Sequence, residues 1–193
     1  IIDKGHFIGG RVGTRNIESE DNSNHFFHGA QFFTAKSENF KKVIQNGINK
    51  GYIKEYGSFS PPRYRGFKSM RDFLMNLSQN LSITQNVKVT HLKPHNEKIS
   101  VLNDRSNIWE TYDAVISTLP APQNLDLMKK FPILKKTLET ASYDACIALM
   151  FIFDEKPKNI PYFFEYYNQQ GMLSWMAAGS NLRFWTAQTK GDY

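Results

Sequence analysis

Cysteine is nearly absent from this chain of 193 residues. Cys146 stands alone, which excludes an internal disulfide and a cysteine-rich metal site. His6, His25, His91 and His95 have no ligand-like spacing to it, so neither zinc nor iron is indicated. No apolar run approaches the roughly 18 residues that cross a bilayer. No basic stretch leads into an apolar signal core. A surface for nucleic acid, with basic and aromatic residues interleaved, is also missing. Its nearest approach, Arg63, Tyr64, Arg65, Phe67 and Lys68, is short and reads as a loop leading into a helix. No acid–base pair stands out. These absences point to a cytoplasmic protein whose partner is a small molecule, not nucleic acid or a membrane.

What is present is apolar and aromatic. Hydrophobic residues make up 40% of the chain and aromatic residues 14%, which argues against disorder. A chain of this size hides roughly 70% of its unfolded surface on folding. The net charge of +6 serves solubility or steers an anion.

Four glycines, Gly5, Gly9, Gly10 and Gly13, punctuate the start and mark tight turning or close approach. Residues 16–24 read as a polar loop, and 25–35 (HFFHGAQFFTA) as a strand interrupted at Gly29. Ser37 can cap a helix over 38–49, with Phe40, Val43, Ile44 and Ile48 on one face. Residues 57–66, with Pro61 and Pro62, read as a loop. Ser69 and Asp72 form a capping-box pattern, continued by Met70, Phe73, Leu74, Leu77 and Leu81. The segments 86–92, 98–103 and 107–112 alternate as a small antiparallel meander, with Val87, Val89 and His91 on one face. Residues 113–122 (DAVISTLPAP) suggest a strand covered on both faces and ended by Pro120 and Pro122. Residues 123–140 carry a helical pattern broken at Pro132. CIALMFIF (146–153) reads as a buried strand, with further strands at 162–167, 172–178 and 182–188.

The chemistry begins at Asp3. A carboxylate at a strand end beside a glycine-rich turn can accept hydrogen bonds from the ribose hydroxyls of a dinucleotide, or can simply be solvated. Arg11, after Gly9 and Gly10, could reach a pyrophosphate. The matching G-x-G-x-x-G belongs about 20 residues upstream, before Ile1. The opening IIDKG and the closing KGDY predict a fragment truncated at both ends, holding FAD weakly by itself.

The strings carry a family resemblance. DKGHFIGGRVGTR resembles the second strand and following turn of FAD-dependent amine oxidases. FFHGAQFFTA resembles the next motif of their renalase-like branch. YRGFKSMRDFLMNL, YDAVISTLPAP, YDACIALMFIF and LSWMA resemble later segments, in the family's order, so the likeness runs from Ile1 to about Trp185. It implies that Asp3, with Lys4 beside it, meets the adenosine ribose. Gly9, Gly10 and Arg11 would lie at the pyrophosphate and Arg15 near the flavin end. Val89 would touch the adenine through its backbone, and Thr118 to Pro120 would form a wall. His28, Gly29, Ala30 and Gln31 would lie on the substrate side, with Trp175 a further candidate there. On their residues alone, Arg15 also fits a solvated loop, Val89 and Trp175 fit core positions, and His28 fits a structural hydrogen-bonding role. One departure stands out: the branch usually has an acidic residue before His-Gly-Ala-Gln, and Phe27 stands in that place.

The resemblance implies an α/β (α+β) fold, a partial FAD-binding Rossmann-like domain interleaved with a mixed-sheet substrate domain of the amine-oxidase type. Residues 1–35 would be a partial FAD-binding segment leading into a substrate-side strand. Residues 36–65 would be a substrate-side helix and loop, 66–122 the FAD-domain helix, meander and returning strand, and 123–193 an incomplete substrate domain. The implied activity is oxidation of a small amine or a dihydropyridine-like, NAD(P)-related substrate by hydride transfer to FAD, with reoxidation by oxygen. A non-catalytic binding module of the same fold and an FAD-dependent hydroxylase or desaturase are the alternatives.

Overall fold

The computed structural model describes residues 1–17, 25–104, 108–160, 165–167, 170–179 and 182–191. They form a mixed α/β arrangement with four α-helices and several small sheets. The chain divides into two compact units. The first holds Ile1–Phe7 and Leu81–Tyr143, the second Ile8–Asn80 and Asp144–Tyr193. The chain thus passes from one unit to the other at three places.

In the second unit, β1 (Thr14–Asn16) pairs antiparallel with β2 (His25–Phe27), placing Arg15 opposite Phe26. Helix α1 (Glu38–Asn49) starts where Ser37 Oγ accepts from the Phe40 amide at 3.3 Å. Its apolar face packs Ile44 with Ile53 and Phe73, flanked by Phe40, Val43 and Ile48. Ile53 lies on β3 (Ile53–Glu55), which pairs with β4 (Tyr64–Gly66). Phe73 lies on α2 (Met70–Leu77), whose first turn is closed by the expected box: the Ser69 amide donates to Asp72 Oδ2 at 3.1 Å and the Ser69 hydroxyl to Asp72 Oδ1 at 3.1 Å. The Phe33 and Phe73 rings stack at 4.7 Å between centroids, so the segment after β2 closes the same core.

The first unit holds the meander. It consists of β5 (Val89–His95), β6 (Lys98–Asn103) and β7 (Ile108–Tyr112), in that spatial order. Helix α3 (Ala121–Leu127) and, after a 3-10 turn, α4 (Pro132–Leu138) follow. Pro132 opens α4, where its missing N–H costs nothing. Leu127 and Met128 pack with Leu92 and Val101 in one core, against which Ile2 and Val89 lean. Ile2 forms a parallel bridge with Thr84.

The other sheet of the second unit runs β8 (Ala148–Ile152), β11 (Phe184–Thr189), β10 (Leu173–Ala178), β9 (Glu165–Tyr167). Phe26 of β2 meets Phe184 of β11 edge-on at 5.2 Å.

Several expectations are corrected. Residues 113–122 are not a covered strand: 114–118 have no regular structure, pair with no strand among the described residues, and leave Ile116 90% exposed. CIALMFIF is a strand only over 148–152, and not a buried one. It lies at a sheet edge with Leu149 58% exposed, and Cys146 is exposed too. Apolar character forecast the strand but not a layer to cover it. His91 does not share Val89's face: a register shift between them turns His91 outward and Leu92 inward. Helix α2 stops at Leu77, so Leu77 and Leu81 are exposed. The strand expected over 25–35 ends at Phe27, and the loop expected over 57–66 closes with β4. Of the strand expected over 162–167, residues 162–164 lie outside the described residues, as do 18–24 of the expected polar loop.

Candidate functional site

Two short runs in the second unit interlock. Gly9 (φ 123°) and Gly10 (φ 46°) take backbone conformations that favour glycine, and the Val12 amide donates to the Gly9 carbonyl at 2.9 Å to close the turn. The chain then enters β1. The run after β2 folds back on this turn: the Ala30 amide donates to the Arg11 carbonyl at 2.9 Å and the Gly29 amide to the Gly13 carbonyl at 3.3 Å. A Cβ on Gly29 would sit 2.0 Å from the Arg11 carbonyl oxygen, and one on Gly13 would sit 2.4 Å from His28 Cε1. Gly29 therefore needs to be glycine, because the clash is with backbone, whereas at Gly13 it is with the tip of the His28 side chain. The Gln31 side-chain amide donates to the Phe27 carbonyl. From α2, Arg71 Nη2 donates to the Thr14 carbonyl at 3.3 Å, tying the helix to β1.

These runs form one wall of a cleft of about 840 Å³. Gly10, Arg11, His28, Gln31 and Phe32 line it, facing Cys146, Ala148, Ser174, Trp175 and Gln188 from the sheet side. Ser174 Oγ donates to the carbonyls of Gln188 and Thr189, both at 3.1 Å, and Trp175 sits opposite Gln188 in the β10–β11 register. No other atom lies within 4 Å of where a Gly10 Cβ would stand, so the main chain there is open to a ligand. Arg11 and Arg15 have exposed side chains.

Burial of its ring pushes His28 below the ordinary histidine value, and the Arg15 and Arg71 cations act in the same direction. His25 is lowered as well, mainly by burial, although its Nε2 lies 2.8 Å from the Lys68 carbonyl and Asp72 is near. Behind the Phe32 wall, the Arg63 guanidinium lies 4.1 Å from the Phe32 ring centroid and 3.9 Å from that of Phe59.

In the first unit, the Asp3 amide donates to the Thr84 carbonyl at 2.9 Å and the Val87 amide to the Asp3 carbonyl at 3.1 Å. The strand-end carboxylate thus lies beside the segment that leads into β5. Its Oδ1 accepts from the Gly5 amide at 2.9 Å. Lys4 is exposed, Val89 is half-buried against the meander core, Thr118 is exposed and Pro120 caps α3. The buried Asn124 holds the 117–120 bend, its amide donating to the Leu119 carbonyl at 2.6 Å while the Ser117 hydroxyl donates to its Oδ1.

The structure therefore gathers His28, Gln31 and Trp175 with Gly10 and Arg11 at one cleft, and Gly9 shapes the turn beneath them. Sequence reasoning missed Arg71, Ser174, Gln188 and Asn124. Arg71 carried one signal, its place in the first turn of a capped helix. Ser174 lay inside the LSWMA string without being singled out.

No family model matches the chain, and no curated protein matches it. Solved structures do. One is the crystal structure of a protein described as "Putative protoporphyrinogen oxidase" from Exiguobacterium sp. 255-15, with a TM-score of 0.51, 15% sequence identity and 68% of this chain covered. The likeness is one of fold. The match spans 32% of that protein's chain, about a third of its length. Among the described residues, no helix is long and apolar enough to cross a membrane.

Proposed function

We propose that this chain is part of a flavin-dependent oxidoreductase of the amine-oxidase type, renalase-like branch, in which a small amine or dihydropyridine-like substrate gives a hydride to FAD and oxygen serves as the terminal acceptor. The observation that carries the reading is the interlock of the glycine turn with the His28–Gln31 run, which leaves the Gly10 main chain open to a cleft beside the exposed Arg11. A side chain at position 10 would fill that space, so the residues present fit a phosphate approaching the backbone. The fold likeness to a protein described as an oxidase supports the same reading.

In this reading Gly9, Gly10 and Arg11 hold the pyrophosphate and Arg15 lies near the flavin end. When bound, the isoalloxazine ring supplies the hydride acceptor, so no charged protein catalyst is required. The chain's own part is to orient and desolvate. Trp175 and Phe32 give apolar faces, and Gln31 is fixed by the Phe27 carbonyl. His28, whose proton affinity is lowered by partial burial and by the Arg15 and Arg71 cations, is suited to accept a hydrogen bond there.

The test is the visible spectrum of the native polypeptide carrying this chain, dialysed after mixing with equimolar FAD. A retained flavin band that bleaches under anaerobic dihydropyridine or amine is expected. A spectrum without that band overturns the reading.

A further inference from the structure

Helix α2 is stitched to both strands of the β1–β2 hairpin. On one side Arg71 Nη2 donates to the Thr14 carbonyl of β1 at 3.3 Å. On the other, His25 Nε2 of β2 lies 2.8 Å from the carbonyl of Lys68, just before the helix starts. The hairpin in turn carries the cleft wall: the Gly29 and Ala30 amides donate to the Gly13 and Arg11 carbonyls, and the Gln31 side chain donates to the Phe27 carbonyl.

The His25 ring is buried, edge-on to Phe27 at 5.2 Å between centroids. Among the described residues, its charged neighbours come from three elements: Asp72 of α2, Arg65 of β4 and Lys54 of β3. Asn16, opposite it on β1, and Gly179, against its carbonyl, bring no charge. The carboxylate of Asp72 is already engaged, Oδ2 by the Lys68 and Ser69 amides at 2.6 and 3.1 Å and Oδ1 by the Ser69 hydroxyl at 3.1 Å. Arg65 is itself buried, its guanidinium 4.5 Å from the Tyr56 ring centroid. A proton on His25 would therefore add a third cation to a space with little water to solvate it. Letting go of the Lys68 carbonyl brings the ring to water, and the His28–Gln31 run that continues β2 moves with it.

We infer that the contact of His25 with the Lys68 carbonyl is an acid-operated latch, which holds the cleft wall against α2 while the ring is neutral and releases it on protonation. The inference goes beyond the flavin reading and does not depend on it. Burial first, then the Arg65 and Lys54 cations, hold the latched ring below its ordinary value of 6.5, against the opposite pull of the Lys68 carbonyl and Asp72. The released ring takes its proton at the ordinary value, so the latch is fully closed above about 6.5 and opens as pH falls from there.

The experiment is hydrogen exchange of the native polypeptide without added ligand, read by mass spectrometry and corrected for intrinsic exchange. Between pH 7 and 5 the protection of residues 25–33 is expected to fall about three- to tenfold, since one proton linked to an opening changes it by at most about tenfold per pH unit. At pH 5 that exchange should not change with low denaturant, the mark of a local opening that exposes little surface. His25→Gln keeps an N–H for the carbonyl, and its fall should stay within about twofold. Lys54→Met removes a cation that opposes the proton, leaves His25 in place, and should make the fall smaller than in the wild type. Protection that is constant with pH, or an equal fall in the wild type and both variants, overturns the inference. Exchange of 25–33 that speeds up with denaturant as that of α1 does means unfolding of the whole unit and overturns it too. A fall that persists in His25→Gln and disappears in His28→Gln gives the titration to His28 and also overturns it.

Discussion

Two apolar segments of the second unit have opposite fates. The block from Phe33 to Phe73 encloses a core of Ile44, Ile53 and Phe73, with both helices capped by the serines that precede them. The segment 146–153 is at least as hydrophobic, yet it forms a sheet edge with Ile147 and Leu149 largely exposed. An apolar run identifies a strand. Burial needs a second layer, and only the first segment supplies its own, because its helices and hairpin lie close in sequence.

The sharpest way to break this comparison is to truncate one side chain from each. Phe73→Ala should cost about 3–5 kcal/mol, the usual range for a buried aromatic, and here the Phe33 stack is lost as well. Leu149→Ala should stay within about 0.5 kcal/mol, as exposed positions do. Denaturant titration of both variants checks the pair. Similar losses would mean that β8 is covered in solution.

A smaller effect separates packing from hydrophobicity. Gly29 lies in neither segment, but its missing Cβ lets Ala30 reach the Arg11 carbonyl. Gly29→Ala forces backbone apart from backbone and should cost about 1–3 kcal/mol by overpacking, read as a lowered thermal midpoint. An unchanged midpoint would mean that the turn and the His28 run are not locked together.

The smallest effect is a pH dependence. In the folded protein His25 binds its proton less readily than at its ordinary value of 6.5, chiefly because it is buried. The unfolded chain therefore takes up protons first as pH falls. Stability is full above about 6.5 and is lost as pH drops from there toward the lowered folded value. His28 contributes with the same sign. His25→Gln keeps an N–H for the Lys68 carbonyl and removes the titration, so its stability should fall less between pH 7 and 5 in denaturant titrations. A parallel decline in both proteins would refute the assignment.

The same contrast explains what could be read from the residues alone. The caps at Ser37 and Ser69, the interruption of the helical pattern near Pro132 and the three-stranded meander rest on rules a few residues long, and all are present, although β5 runs Val89–His95 and not 86–92. The covered strand at 113–122 and the buried run at 146–153 depended on layers that no local pattern specifies. His91 was misplaced because one extra residue in β5 reverses every face beyond it, and a bulge leaves no composition signal. At the cleft, glycines and the His-Gly-Ala-Gln run were visible as motifs, but their contact was not. Ser174 and Gln188 join them only through the pairing of β10 with β11.

The central claim is that the turn at Gly9–Gly13 is a phosphate cradle, and Arg11 tests it most directly. Its side chain is exposed, so Arg11→Ala should leave the thermal midpoint of the FAD-free protein unchanged. Loss of its charge-assisted bonds, worth about 1.5–3 kcal/mol, should raise the FAD dissociation constant of the native polypeptide roughly 10- to 100-fold. A dissociation constant equal to that of the wild type would contradict the cofactor reading of this turn.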